Sequence, residues 1–142
     1  MKATVAWFLA AGLIPGFACA GESLRLVERA TGETVVHRTT APDALGDLIV
    51  FANPLYDAAN KNLKGSSRGV CTRVEVGHWW ECHWTMALPG GALLVAGSYP
   101  DEGDSVFAIV GGSGRYAGAR GTVAVHARDA GHETYDFAIK LL

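Results

Sequence analysis

The chain has 142 residues, 12 Lys+Arg against 14 Asp+Glu, and 49% hydrophobic residues. That length allows one core and one compact domain. A net charge of −2 without a Lys/Arg cluster excludes most nucleic-acid binders, and charged residues at 18% with no low-complexity window exclude a disordered chain.

Met1-Lys2 opens the chain, and Ala3 to Leu13 follows without a charge. Pro15-Gly16 breaks any helix, and Ala18-Cys19-Ala20 supplies the small residues that a signal peptidase reads. This pattern predicts a leader over residues 1–20, cleaved before Gly21, and a secreted or periplasmic protein. The apolar run is too short for a spanning helix, and no later segment suits stable membrane insertion. Removing residues 1–20 takes away Lys2 and leaves one domain, residues 21–142, with 11 Lys+Arg against 14 Asp+Glu, a net charge of −3. Cys71 and Cys82 remain, in a compartment that permits their oxidation.

The rest reads as strands. Short runs rich in Val, Ile, Leu and aromatics, punctuated by Gly, predict strands over Leu24–Arg29, Glu33–Arg38, Asp47–Ala52, Val70–Val76 and Trp79–Ala87. Four more follow over Ala92–Tyr99, Ser105–Val110, Gly121–Ala127 and Glu133–Leu141. Turns are marked at Thr31-Gly32, Pro89-Gly90-Gly91, Pro100–Gly103, Gly111–Gly114 and Ala130-Gly131. The polar stretch Leu55 to Ser67 reads as a long loop or one short helical turn. Many short strands at regular spacing predict an all-β sandwich or barrel.

A turn centred on Val76-Gly77 sets residue 71 opposite residue 82. Directly opposite residues share a face, so the two thiols meet within disulfide range. A slip of one or two residues would instead leave two free buried thiols. The same pairing puts Arg73, Glu75, Trp80, Trp84 and Met86 on the cysteine face, either as a ligand pocket or as ordinary core with an Arg73–Glu75 ion pair at an open end.

Other motifs carry less. Gly112-Ser113-Gly114 through Gly118 nearly matches a dinucleotide fingerprint, but a strand pattern follows where a helix is required. His78, Cys82 and His83 match no zinc spacing, so no metal is expected. No Gly-x-Ser-x-Gly elbow and no spaced carboxylate pair stands out.

Three blocks occur in order. They are Gly46-Asp47-Leu48-Ile49-Val50-Phe51-Ala52-Asn53-Pro54-Leu55-Tyr56, Gly69-Val70-Cys71, and Gly97-Ser98-Tyr99 through Phe107 to Gly121. Together they resemble the allene oxide cyclase family. The block from Gly111 to Gly121 also looks like that of dirigent proteins. The resemblance covers Leu24 to Leu142. It implies an eight-stranded antiparallel up-and-down β-barrel of calycin type, commonly trimeric, with an elongated apolar cavity. It also implies a hydrophobic, oxylipin-like or phenolic small molecule as partner, handled without a cofactor. The expected role is that of a cyclase, an isomerase or a protein that directs stereochemistry by positioning; the rival role is a non-catalytic carrier of an apolar ligand.

Residue by residue, Phe51, Asn53 and Cys71 match cavity positions of the cyclases. Alignment through Glu28-Arg29 sets Arg25 and Val27 where the cyclases carry an inward Glu and Asn; a shifted register would bring Glu28 inward instead. The expected site is therefore Arg25, Asn53 and Cys71 as reacting or orienting groups, with Phe51, Arg73, Glu75, Trp80 and Trp84 around the ligand.

Overall fold

The computed structural model describes residues 21–142, so the leader expected over residues 1–20 lies outside the described residues. Nine strands follow one another: β1 Ser23–Arg29, β2 Glu33–Val36, β3 Leu48–Asp57, β4 Leu63–Glu75, β5 Trp79–Leu88, β6 Gly91–Pro100, β7 Ser105–Gly114, β8 Gly121–Ala127 and β9 Thr134–Leu141. All pairings are antiparallel, in the order β1-β9-β8-β7-β6-β5-β4-β3-β2. A further pairing of β1 with β3 closes the sheet. The eight-stranded barrel implied by the resemblance is thus the observed architecture, with one additional short strand.

That strand is the second half of a broken stave. β1 lies against Leu55–Asp57 and β2 against Leu48–Phe51, end to end along β3. Glu28 faces Leu55 and Glu33 faces Phe51, so five steps on the first stave match four on β3. The extra residue is absorbed at Ala30–Gly32. Gly32 is required there, because a Cβ would stand 2.2 Å from the Ala52 carbonyl oxygen. Its N–H leaves the ladder and donates to the side chain of Asn53, Oδ1, at 2.9 Å.

The half of the barrel away from β2 is filled. Leu55, Met86, Leu93, Val95, Ile109, Val123 and Ile139 are all buried there. β8 shows the expected alternation of buried and exposed positions, with Val123 and Val125 inward. Apolar burial of this kind drives the closure.

Two expectations change. The stretch Leu55 to Ser67 is not a loop: β3 continues to Asp57, and β4 starts at Leu63. The turn between them is held by the Asp57 carboxylate, which accepts from the Lys61 N–H at 2.9 Å and the Asn62 side chain at 2.6 Å. The inward positions of this part of β4 are Gly65, Ser67 and Gly69, so a search for alternating apolar residues passes over them. Small residues are needed, since a Cβ on Gly69 would stand 2.3 Å from the Trp84 Cβ. Likewise Gly111–Gly114 belongs to β7, not to a turn; residues 115–118 make the turn. An extra residue, Val110, sits between the pairs Val95–Ile109 and Leu94–Gly111. The glycines there are architectural: Gly114 has φ +58°, and a Cβ on Gly112 would stand 2.2 Å from the Tyr116 carbonyl oxygen.

Cys71 lies directly opposite Cys82, and the two form a disulfide. Arg73 faces Trp80 in the same register, but a bulge follows and Glu75 faces Trp79. Glu75 thereby leaves the inner face and is exposed. Thiol labelling of unfolded, unreduced protein is expected to find neither cysteine of residues 21–142 free. Replacing Cys82 by Ser should cost about 3 kcal/mol, the loop-closure value for so short a loop. Two labelled thiols would contradict the pairing.

Candidate functional site

Near its end β1 turns Glu28 into the barrel, where it faces Leu55 on one side and Tyr135 on the other. Its side chain is buried, 5% exposed. Asn53 Nδ2 donates to one carboxyl oxygen at 3.1 Å, and Ser67 Oγ donates to the other. Asn53 is itself oriented by the broken stave. Its Oδ1 is occupied by the Gly32 N–H, so its Nδ2 must face the carboxyl. Ser67 sits on the part of β4 that the sequence reads as loop. Among the described residues no ion pair reaches Glu28. Burial therefore dominates and lifts its pKa from 4.5 to about 7, against the opposing pull of the Ser67 and Asn53 hydrogen bonds.

Glu28 forms part of the wall of a chamber of about 80 Å³ that opens at the β2 end of the barrel. Its other walls are Ile49, Phe51, Trp84, Phe107, Val125, Phe137 and the Cys71–Cys82 disulfide. The rings pack edge to face: Trp84 and Phe107 are 4.6 Å apart between centroids at 78°, and Phe51 and Trp84 are 6.5 Å apart at 61°. Glu33, Tyr99 and Tyr135 add the remaining polar side chains of the lining. Desolvation at the mouth raises the Glu33 carboxyl, opposed by His132, and burial raises both tyrosine hydroxyls.

The structure places Phe51, Cys71, Cys82 and Trp84 in the chamber wall. Asn53 is buried beneath it and acts on it through Glu28. Arg73 and Trp80 lie next to it at the barrel end, where the guanidinium stacks 3.9 Å above the indole. Arg73 also pairs with Asp43 at 2.7 Å and Asp101 at 2.6 Å, so its charge is committed to clasping the segment before β3. Glu75, beyond the bulge, takes no part in that cluster. Arg25 faces Ala138 on the outer surface of the barrel and is exposed, away from the chamber. Alignment through Glu28-Arg29 points to the wrong side chain here. The first stave carries three consecutive buried residues, Leu26, Val27 and Glu28, so alternation does not mark its inner face.

Sequence reasoning also passed over Ser67, Tyr99, Tyr135, Phe107 and Phe137. The last two stand at alternating apolar positions of β7 and β9 and were legible as core. Among the described residues no group of three or more His, Cys, Asp or Glu is placed to hold a metal ion.

The family model of allene oxide cyclase matches residues 26–129, well over half of the chain. The chain belongs to the allene oxide cyclase family. The barrel is similar to a pyocyanin demethylase at 20% identity and a TM-score of 0.72, covering 83% of this chain and 99% of the other. It is similar to the pterocarpan synthase dirigent protein PsPTS1 at 18% identity and 0.74, covering 85% and 94%. A third likeness is to the Diels–Alderase AbmU from Streptomyces koyangensis, at 19% identity and 0.66, covering 84% and 63%. At these identities the likenesses establish the fold. The site sets a buried carboxyl, Glu28, in an aromatic enclosure.

The raised pKa has a consequence for stability. Between pH 4.5 and about 7 the unfolded chain releases the Glu28 proton while the folded chain keeps it. Stability from this group is complete below 4.5 and lost as pH rises through about 7, by roughly 3 kcal/mol. Replacing Glu28 by Gln should remove that slope. In urea unfolding, the E28Q variant is expected to gain on the wild type between pH 5 and pH 8; parallel pH profiles would refute the assignment.

Proposed function

We propose that this protein is a cofactor-independent cyclase or stereochemistry-directing protein that holds a hydrophobic small molecule in the aromatic chamber, with Glu28 as its acid–base group. The observation that carries the reading is the Glu28 carboxyl itself, hydrogen-bonded by Asn53 and Ser67 and facing an apolar enclosure. A pKa of about 7 lets one group serve as proton donor or acceptor near neutral pH. Protonated, Glu28 gives its proton to a ligand oxygen as that oxygen gains negative charge. Ionised, it takes a proton from carbon or faces a developing cation. The rings of Phe51, Trp84 and Phe107 restrict the ligand's approach, which is catalysis by orientation. Barrels of the same fold include a pterocarpan synthase dirigent protein and a Diels–Alderase, which supports a role in ring closure or its steering. The substrate class in this proposal is an oxylipin-like or phenolic molecule, such as an unsaturated fatty-acid epoxide or a quinone methide.

Turnover of a panel of such epoxides and quinone methides, read by chiral chromatography, tests the proposal. The wild type should give one enantiomer in excess. E28Q should lose about 100-fold or more in rate while still binding. Racemic product at the background rate with the wild type would overturn catalysis, and saturable binding without turnover would identify a carrier instead.

Export and assembly belong to the same proposal. The leader pattern and the disulfide support an oxidising compartment. Val50, Val74, Val76 and Trp79 are exposed on the outer side of β3, β4 and β5 and the turn between the last two, an apolar surface that supports association. Native mass spectrometry of the exported protein should find three copies of a chain beginning at Gly21. A monomer retaining residues 1–20 would contradict both.

A further inference from the structure

The mouth of the chamber carries a second polar group whose geometry is as constrained as that of Glu28. The Tyr99 ring lines the opening, and its hydroxyl lies 3.2 Å from Nδ1 of His132. Tyr135 stands beside it, with ring centroids 6.4 Å apart and its hydroxyl hydrogen-bonded to that of Tyr99, and faces Glu28 across the β1–β9 ladder. His132 reaches this place from the turn before β9 with φ +55°, a left-handed backbone in a residue that has a Cβ. The turn is fixed by Asp129, whose carboxylate accepts from the N–H groups of Glu133 at 2.9 Å and Thr134 at 3.0 Å. A local backbone cost is thus accepted to hold an imidazole against one phenol.

A phenol has one proton and two lone pairs. When the His132 N–H and the Tyr135 hydroxyl both donate to the Tyr99 oxygen, both lone pairs are occupied and the Tyr99 proton is left to turn into the chamber. We propose that Tyr99, oriented by His132, is the hydrogen-bond donor that anchors an oxygen of the ligand at the chamber mouth. The ligand class follows from the two poles. It is an apolar molecule with a carbonyl or phenolic oxygen at the Tyr99 end, and its reacting atoms lie toward Glu28. This rests on the chamber being the ligand site, as proposed above. Tyr99 is the binding residue, and His132 is a positioning residue.

Two probes of similar shape, acetophenone and ethylbenzene, differ in the one oxygen that matters. Their affinities can be read by quenching of tryptophan fluorescence, with Trp84 in the wall. The carbonyl stretching band of bound acetophenone reports hydrogen bonding directly. The wild type should bind acetophenone about fivefold or more tightly than ethylbenzene, as one neutral hydrogen bond allows, with the band shifted to lower frequency. Tyr99→Phe should abolish both the preference and the shift while leaving ethylbenzene binding unchanged. His132→Asn keeps a residue tolerant of the left-handed backbone but shortens the reach. It should move the band part of the way back, and an unmoved band would refute the positioning role. Binding of both probes without discrimination, or a preference that survives in Tyr99→Phe, would overturn the Tyr99 assignment and leave the chamber as a ligand site. Failure of both probes to bind the wild type would remove both.

Discussion

A carboxyl group buried without a counter-charge is the constraint around which this barrel is arranged. Ionising such a group in an apolar interior costs several kcal/mol unless hydrogen bonds replace its water. Among the described residues Glu28 has two donors, Asn53 and Ser67, and no cation. Each donor comes from a different strand, and each depends on a local feature of its strand. Asn53 is oriented because the first stave breaks and exposes the Gly32 N–H. Ser67 reaches Glu28 because β4 carries small residues where the wall would otherwise be filled. The broken stave and the small residues of β4 therefore converge on one side chain.

The same arrangement divides the barrel into two working parts. Aliphatic side chains fill one half and supply the burial that holds the strands together. Aromatic side chains line the other, where edge-to-face packing around Trp84 leaves open space instead of closing it. The Cys71–Cys82 disulfide ties β4 to β5 at this wall. Arg73 anchors the barrel end next to it through Asp43, Asp101 and the face of Trp80. This ion-pair cluster thus stabilises the rim of the chamber, and the charge of Arg73 is spent there and not on Glu28.

The all-β class and the register of the cysteine hairpin were legible in the sequence, because Val, Ile and aromatic alternation and the Val76-Gly77 turn are local signals; the choice of barrel over sandwich came from the family resemblance. All nine strands have a counterpart in the sequence pattern. The site was legible only in part. Phe51, Cys71 and Trp84 follow from strand parity and the resemblance. Glu28 was legible only as the alternative of a shifted register, since three successive buried residues hide the inner face of β1 and the preferred alignment set Arg25 there. Ser67 was not, since glycine and serine at inward positions look like loop composition. Glu75 was misplaced by a bulge that no residue pattern announces. Each miss lies where long-range packing, not local preference, decides which way a side chain points.

The central claim is that Glu28 is a buried, uncompensated acid that exchanges its proton near neutral pH. Carbon-13 NMR of protein labelled at the glutamate carboxyl carbons, with the Glu28 signal identified by its loss in E28Q, reads that proton directly. The account predicts a titration midpoint at about 7. A midpoint near the ordinary value of 4.5 would show the carboxyl to be hydrated and would contradict it.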